Sequence, residues 1–315
     1  MLEFIDLHTG SALVRRPPFV LCLGNFDGVH RGHMALVRRT LEEKSRLSEK
    51  YPSILGGAWC FRQPPADFLS GTPSFRITST EEKLRLFAEA GLDAAILADF
   101  PECRNMSPGD FVCRMLGDEC NCKKAVVGFN FRFGKGGAGT PELLSALTDG
   151  YAELDPVRVD GINVSSSTVR RLILSGDVES AAELLGRPFS VFLPVVHGKR
   201  LGRTLGLPTI NQHFGEHDLI PAHGVYAALA ETDDKKTYPA VVNVGTNPTV
   251  KDDGTVVCET HILGFSGEIY GERVRVSFLS RLRGEQKFGG TDELAAAIRK
   301  DIENAEKYFA DNNIR

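Results

Sequence analysis

Two segments of the chain carry residue types and spacings suited to phosphate chemistry. The first is Gly24–His33, which reads G-N-F-D-G-V-H-R-G-H. An apolar run, Phe19–Leu23, leads into it, and helical sequence follows from Gly32. Glycines at 24 and 28 let the backbone approach a phosphate closely, and the free amides of a helix N-terminus favour its charge. His30 and His33 are three apart and share one face of the entering turn. Two imidazoles there can donate hydrogen bonds to a phosphate oxygen as charge builds up. The competing reading is a pair of surface histidines in a turn. A metal pair fits less well, because no carboxylate or third histidine follows at ligand spacing.

The second segment is Val195–Asn211, V-V-H-G-K-R-L-G-R-T-L-G-L-P-T-I-N. Gly198, Gly202 and Gly206 make a closely approaching loop, to which Lys199, Arg200 and Arg203 add positive charge. Thr209 and Asn211 are two apart, so an extended segment puts both on one face. A hydroxyl and an amide carbonyl are hard oxygen ligands suited to Mg²⁺.

The elements that must position these residues differ between the halves. In the first half, β-branched runs alternate with helical stretches. Strands are expected at Phe19–Leu23, Ile54–Cys60, Ala94–Ala98 and Lys124–Gly128. Helices are expected at Gly32–Glu49, Thr80–Ala90 and Pro108–Leu116. Such alternation implies a mainly parallel sheet covered on both faces. Parallel sheets bind ligands at the carboxyl ends of their strands, which points to the loops after Leu23 and Gly128. Two short helices follow, Thr168–Ser175 and Asp177–Leu185, the second with Asp177 as N-cap and Gly186 as its stop. From Phe189 to Phe278 the texture changes to short strands punctuated by Gly and Pro, as in a small antiparallel barrel or sandwich. Thr291–Phe309 closes the chain as an amphipathic helix.

Composition narrows the class. The 315 residues exceed a prior of roughly 150 per domain, which suggests two domains. Hydrophobic residues at 42% and charged residues at 25% exclude wholesale disorder. A net charge of −4 argues against a general nucleic-acid or anionic-membrane binder. No apolar run approaches the roughly 18 residues of a membrane span, and the start lacks a basic segment before an apolar core. Seven scattered cysteines, none in C-x-x-C, fit reduced thiols and a cytoplasmic setting.

Two literal motif matches lead elsewhere and are declined. Gly134, Gly136 and Gly139 satisfy G-x-G-x-x-G, but the dinucleotide fingerprint belongs in the first βα turn, already taken by Gly24–His33. His213, Glu216 and His217 satisfy H-x-x-E-H, which needs a helix; Gly215, Pro208 and Pro221 argue for a loop. No G-x-x-x-x-G-K-[ST] exists, so any ATP site is of another design.

The Gly24–His33 segment resembles the G-x-F-D-x-x-H-x-G-H signature of the nucleotidyltransferase superfamily. V-V-G-F-N-F-R-F-G (126–134) and V-S-S-S-T-V-R (164–170) extend the resemblance to the prokaryotic bifunctional riboflavin kinase/FAD synthetases. P-T-I-N (208–211) and C-E-T-H-I-L (258–263) are similar to the motifs of that family's kinase half. The departures are Pro64 where the family has His, Ser167 for Thr, Ile210 for Ala and Gly264 for a frequent Asp.

The resemblance implies an α/β nucleotidyltransferase domain, Rossmann-like with a parallel sheet, over 1–186. A small antiparallel β-barrel with a C-terminal helix would follow over 187–315. The first would adenylylate FMN to FAD, using His30 and His33, with Gly24, Phe26, Asp27, Asn130, Ser166, Ser167 and Arg170 on ATP. The second would phosphorylate riboflavin to FMN, with Glu259 as base and Arg283 near the flavin. Gly198, Lys199, Gly202, Arg203 and Gly206 would hold ATP, and Thr209 and Asn211 its Mg²⁺. Tyr226 and Tyr270 read as barrel packing. Small molecules are the expected partners, with no nucleic acid and no membrane. Two other readings stay open on these residues: a kinase with a weak or inactive first half, and a flavin- or nucleotide-sensing module.

Overall fold

The computed structural model describes residues 2–7, 16–70, 75–198, 206–246 and 255–314. It divides into two compact units, Met1–Ser166 and Ser167–Arg315.

The first unit is built on six parallel strands: β1 (Glu3–Leu7), β2 (Phe19–Leu23), β3 (Leu55–Phe61), β4 (Ala94–Ala98), β5 (Cys122–Gly128) and β6 (Tyr151–Leu154). Their order in the sheet is β1-β4-β3-β2-β5-β6. Every residue of β2 is buried, because helices cover both faces of a parallel sheet. Phe19, Leu21 and Leu23 pack on one face with Phe111, Met115 and Leu116. Val20 and Cys22 pack on the other with Val37 of α1 (Arg31–Leu47) and Phe87 of α2 (Thr80–Glu89).

The order decides where a ligand can bind. From β2 the chain moves outward to β3 and β4, then returns to place β5 on the other side of β2. The crevice of such a sheet opens where the order reverses, at the carboxyl ends of β2 and β5. Cys22 lies beside Val126, so the loops after Leu23 and Gly128 share one end of the sheet. β1 and β6 are edge strands the sequence pattern did not reveal. The stretch expected as a helix at Pro108–Leu116 becomes a π-helix over Phe111–Glu119.

Glu43 of α1 is buried and bound by three cations. Its carboxylate meets Lys124 Nζ at 2.9 Å, Arg39 at 2.7 Å and Arg46 at 3.0 Å. Burial alone would push the carboxyl up; Lys124, then Arg39 and Arg46, outweigh it and hold it below its ordinary value of 4.5. A lowered folded-state value means stabilisation present above the ordinary value and lost as pH falls through the lowered one. Glu43→Gln is expected to cost about 1–3 kcal/mol at neutral pH, less than a fully buried pair because the arginines stay solvated. Urea unfolding should show that difference closing as pH falls below the ordinary carboxylate range and the wild-type carboxylate is protonated as well.

The second unit is a closed antiparallel barrel. Its strands are β7 (Phe189–Val196), β8 (Ile210–His213), β9 (Gly224–Glu231), β10 (Thr237–Thr246), β11 (Val256–Ile262) and β12 (Arg273–Gly284). They close in the order β8-β11-β10-β9-β12-β7. Tyr226, Phe278 and Phe189 fill the interior, Tyr226 edge-on to Phe278 at 5.2 Å. The final helix, Thr291–Asp311, lays Ala305 and Phe309 over the outward side chains of Val225, Ala227 and Val241.

The division between units falls some way before the boundary expected at 186/187. The helix Ser166–Ser175 offers the carbonyl of Ile173 to the amide of Ala222, and Val178–Leu185 packs on β7 and β12. Both short helices therefore brace the barrel. Gly186 does stop the second one, in the left-handed conformation at φ 81° that glycine tolerates.

Candidate functional sites

The loop from β2 to α1 is held in an unusual backbone course. Phe26, Gly28 and Val29 all have positive φ, 53°, 86° and 40°. For a β-branched residue such as Val29 this conformation costs about 1–3 kcal/mol and persists only when its surroundings enforce it. Here they do. Phe26 is fully buried, edge-on to Phe87 at 5.2 Å, and its carbonyl accepts from the Val29 amide. The Asp27 carboxylate accepts from the Ile77 amide at 2.9 Å, and the Gly28 amide donates to Thr78 Oγ1 at 3.0 Å. Lys83 Nζ donates to the Asn25 carbonyl at 2.8 Å. The side chains of Phe26 and Asp27, expected on ATP, thus also shape the loop.

That course delivers both histidines to the start of α1. His30 is its N-cap, and Nδ1 accepts from the His33 amide at 3.3 Å. The neutral ring must then carry its proton on Nε2. The His33 ring stacks on it at 3.6 Å between centroids, 13° from parallel. No acidic residue occupies the first turn, so the positive end of the helix is uncompensated from within.

Ser166, the last residue of the first unit, donates through Oγ to the Asp27 carbonyl at 2.8 Å. Asn130 is exposed just past β5, at the same end of the sheet. Gly24, at the tip of β2, gives its amide to the Trp59 carbonyl at 3.2 Å. Ser167 and Arg170 fall in the second unit.

In the barrel, strand register gathers the second site. Asn211 of β8 lies directly across from Glu259 of β11, and Glu259 directly across from Asn243 of β10. Opposed residues in a ladder point to the same face, with Cβ atoms about 4.5–5.5 Å apart. Cys258 and Thr260 are fully buried inside the barrel, so Glu259 faces outward, flanked by two carboxamides. Asn211 is nonetheless buried, because Gly198 lies against it; a Cβ at Gly198 would collide with its carboxamide. Thr209 lines a cleft of about 340 Å³ with Ile210, Thr260, Ile262, Phe265 and Tyr270. Tyr270 is therefore a lining residue and not barrel packing, with its ring 4.1 Å from that of His197. Gly206, at φ 74°, lines the same cleft. Lys199, Gly202 and Arg203 lie outside the described residues.

Arg283 is differently employed. Its guanidinium forks onto the buried Asp301 carboxylate, Nε to Oδ1 at 2.8 Å and a terminal nitrogen to Oδ2 at 2.7 Å. Its remaining nitrogen donates to the Gly284 carbonyl at 3.0 Å. It straps the C-terminal helix to β12 with three of the five guanidinium donors.

Two residues escaped the sequence reading. Asn243 sits in V-N-V-G as a single polar position in an apolar strand, and only the register shows that it flanks Glu259. His261 hydrogen-bonds the Pro208 carbonyl through Nδ1 at 2.7 Å. The declined motifs have other conformations: His213 ends β8 and Glu216–His217 form a turn, while Lys135–Gly137 is a single 3₁₀ turn. Among the described residues no cluster of three or more His, Cys, Asp or Glu is placed to hold a metal. Six of the cysteines are buried, and burial raises the thiols, Cys22 to about 12. No helix among the described residues is long and apolar enough to cross a membrane.

Comparison with known proteins bears on both units. A family model described as FAD synthetase matches residues 14–168, and one described as riboflavin kinase matches residues 185–309. The bifunctional riboflavin kinase/FMN adenylyltransferase of Pseudomonas fluorescens is 34% identical over 289 residues, covering 90% of each chain. The proteins of the same description from Escherichia coli K12 and Bacillus subtilis 168 are 34% and 32% identical, each over 92% of both chains. A crystal structure described as a macrolide-efflux protein from Streptococcus pneumoniae shares the fold with a TM-score of 0.85 at 30% identity. It covers 97% of this chain and 99% of that one.

Proposed function

The chain belongs to the bifunctional riboflavin kinase/FMN adenylyltransferase family, and from that premise we propose which residues perform each reaction. The protein phosphorylates riboflavin to FMN and adenylylates FMN to FAD, with ATP as donor in both. Matches to both halves, and full-length relatives carrying both descriptions, favour this over a kinase with an idle first half or a sensing module. The efflux description of the S. pneumoniae chain is not carried over, because the residues gathered here suit phosphate chemistry.

The kinase site is the outer face of β8 and β11, and the observation that carries it is the register pair Asn211–Glu259. Glu259 accepts the proton of the ribityl 5′-hydroxyl as that oxygen bonds to the γ-phosphorus and the bond to the β-phosphate oxygen breaks. Thr209 and Asn211 offer two hard oxygens beside it, a donor set that fits Mg²⁺. When bound there, the ion would neutralise charge on the nucleotide phosphates. Gly198, Lys199, Gly202, Arg203 and Gly206 form the ATP loop.

The adenylyltransferase site is the end of β2 and the start of α1. An FMN phosphate oxygen attacks the α-phosphorus while pyrophosphate leaves. His30 Nε2–H and His33 donate to the α-phosphate oxygens as their charge grows, and the free amides of α1 add to that field. Gly24, Asn130, Ser166, Ser167 and Arg170 complete the contacts to ATP, with Arg170 as a fork donor. Catalysis falls to residues 1–186 for FAD and 187–315 for FMN, in a cytoplasmic enzyme acting on small molecules and not on nucleic acid.

The test is a product assay. Purified protein given riboflavin and Mg-ATP should accumulate FMN and then FAD, separable by chromatography. FMN without FAD would return the kinase-only reading, which the Pro64 and Ser167 departures motivate. Neither product would leave only a binding module.

A further inference from the structure

We infer that His261 is a positioning residue for the kinase reaction, setting the direction of Thr209 and Asn211 through the Pro208 carbonyl. The inference rests on the proposed use of that segment to hold the nucleotide and its metal. His261 lies two residues beyond Glu259 on β11 and opposite Val241 of β10, on the outer face of the barrel. Its Nδ1 stands 2.7 Å from the Pro208 oxygen. A carbonyl can only accept, so Nδ1 carries the proton and donates.

The chain needs an anchor at this place. Pairing between β8 and β11 begins at Ile210 opposite Thr260, so Pro208 and Thr209 precede the ladder. Proline has no amide proton to fix itself by a backbone bond. The carbonyl of residue 208 and the amide of residue 209 belong to one rigid plane. Holding the oxygen therefore places the Cα of Thr209, from which the hydroxyl projects. The same β11 strand supplies Glu259, so a single element presents the base and fixes the oxygen ligands relative to it. C-E-T-H is thus a unit in which Glu259 acts on the substrate and His261 acts on the segment that faces Glu259.

Two variants of the full-length protein separate donation from bulk. His261→Leu fills similar space without a donor. In His261→Asn the side-chain Nδ2 sits on Cγ as Nδ1 does in histidine, so the donor returns at nearly the same place. Hydrogen–deuterium exchange of the metal-free peptide spanning residues 206–213 reads the position of the segment directly. His261→Leu should speed exchange there about threefold to tenfold, the range one hydrogen bond supplies. It should raise the KM for Mg-ATP in FMN formation by a similar factor, with kcat changing less. His261→Asn should restore both, and FAD formation from FMN should be unchanged throughout.

Wild-type exchange and KM in His261→Leu would overturn the inference, provided Thr209→Val raises that KM. If Thr209→Val is also without effect, the reading of the segment falls and the inference with it. Failure of His261→Asn to restore what His261→Leu loses would show that donation is not the role. That comparison stays decisive where His261→Leu loosens the barrel.

Discussion

Glu259→Gln is expected to lower FMN formation by a factor of about 10²–10⁴, the usual contribution of a positioned general base. The substitution keeps the shape of the side chain and its place between Asn211 and Asn243. An amide cannot take up the hydroxyl proton, so the loss should fall in kcat. The KM for Mg-ATP should move only a few-fold, because proton acceptance matters mainly in the transition state. FAD formation from supplied FMN should be untouched and serves as the control for folding. Steady-state rates at saturating riboflavin measure the effect. Turnover within threefold of wild type would remove Glu259 as base and leave it a charged neighbour of the metal.

The partition of effect between kcat and KM is itself informative. Asn211 and Thr209 are proposed to bind the nucleotide in ground and transition states alike, so their loss belongs to KM. Glu259 is proposed to act only as the new O–P bond forms. A barrel is suited to this separation, since its register fixes the Glu259 carboxylate against the Asn211 side chain on a neighbouring strand. The strap from Arg283 to Asp301 fits the same logic: it holds a helix against the barrel wall and leaves the β8–β11 face to the substrates.

Much of this arrangement was legible in the sequence, and the exceptions have physical causes. The strand periodicities of the first half were readable because buried parallel strands are nearly continuous apolar runs, as in Phe19–Leu23. From them alone the loops after Leu23 and Gly128 emerged as the ligand end, and the reversal of strand order at β2 agrees. β8 was not readable. It is four residues long and reads I-N-Q-H, with Gln212 buried inside the barrel and its amide nitrogen bonded to two backbone carbonyls. A polar side chain anchored in the interior through its amide nitrogen breaks the alternation that marks a strand.

Phe26 and Asp27 were placed on ATP because they lie within the signature. The fold gives these residues a second use: a left-handed course through Phe26, Gly28 and Val29 needs a buried ring and a buried carboxylate to hold it. The ion-pair partner of Arg283, Asp301, lies in the final helix and cannot be assigned to it from spacing. Asn243 and His261 were invisible for the same kind of reason. Their significance lies in what stands opposite, and register is a property of the fold.

His30→Ala is expected to reduce FAD formation from FMN by about 10²–10³, the range seen when a donor to developing charge is removed. FMN formation from riboflavin should be unchanged. The alanine variant alone would be ambiguous, because His30 also caps α1 by accepting from the His33 amide. Losing a cap costs about 1 kcal/mol of stability, which a sceptic could blame for the lost activity. His30→Asn resolves this. Asparagine is among the best N-cap residues, so it can accept from the His33 amide and keep the helix start, yet it has no group at the position of Nε2. Both variants should therefore lose FAD formation to a similar extent, while only His30→Ala should show a lowered urea midpoint. Activity that tracks the midpoint, with His30→Asn near wild type, would make His30 a cap and transfer the donor role to His33 and the amides of α1. Activity lost equally in both, at unequal stability, would tie the chemistry to the Nε2 proton.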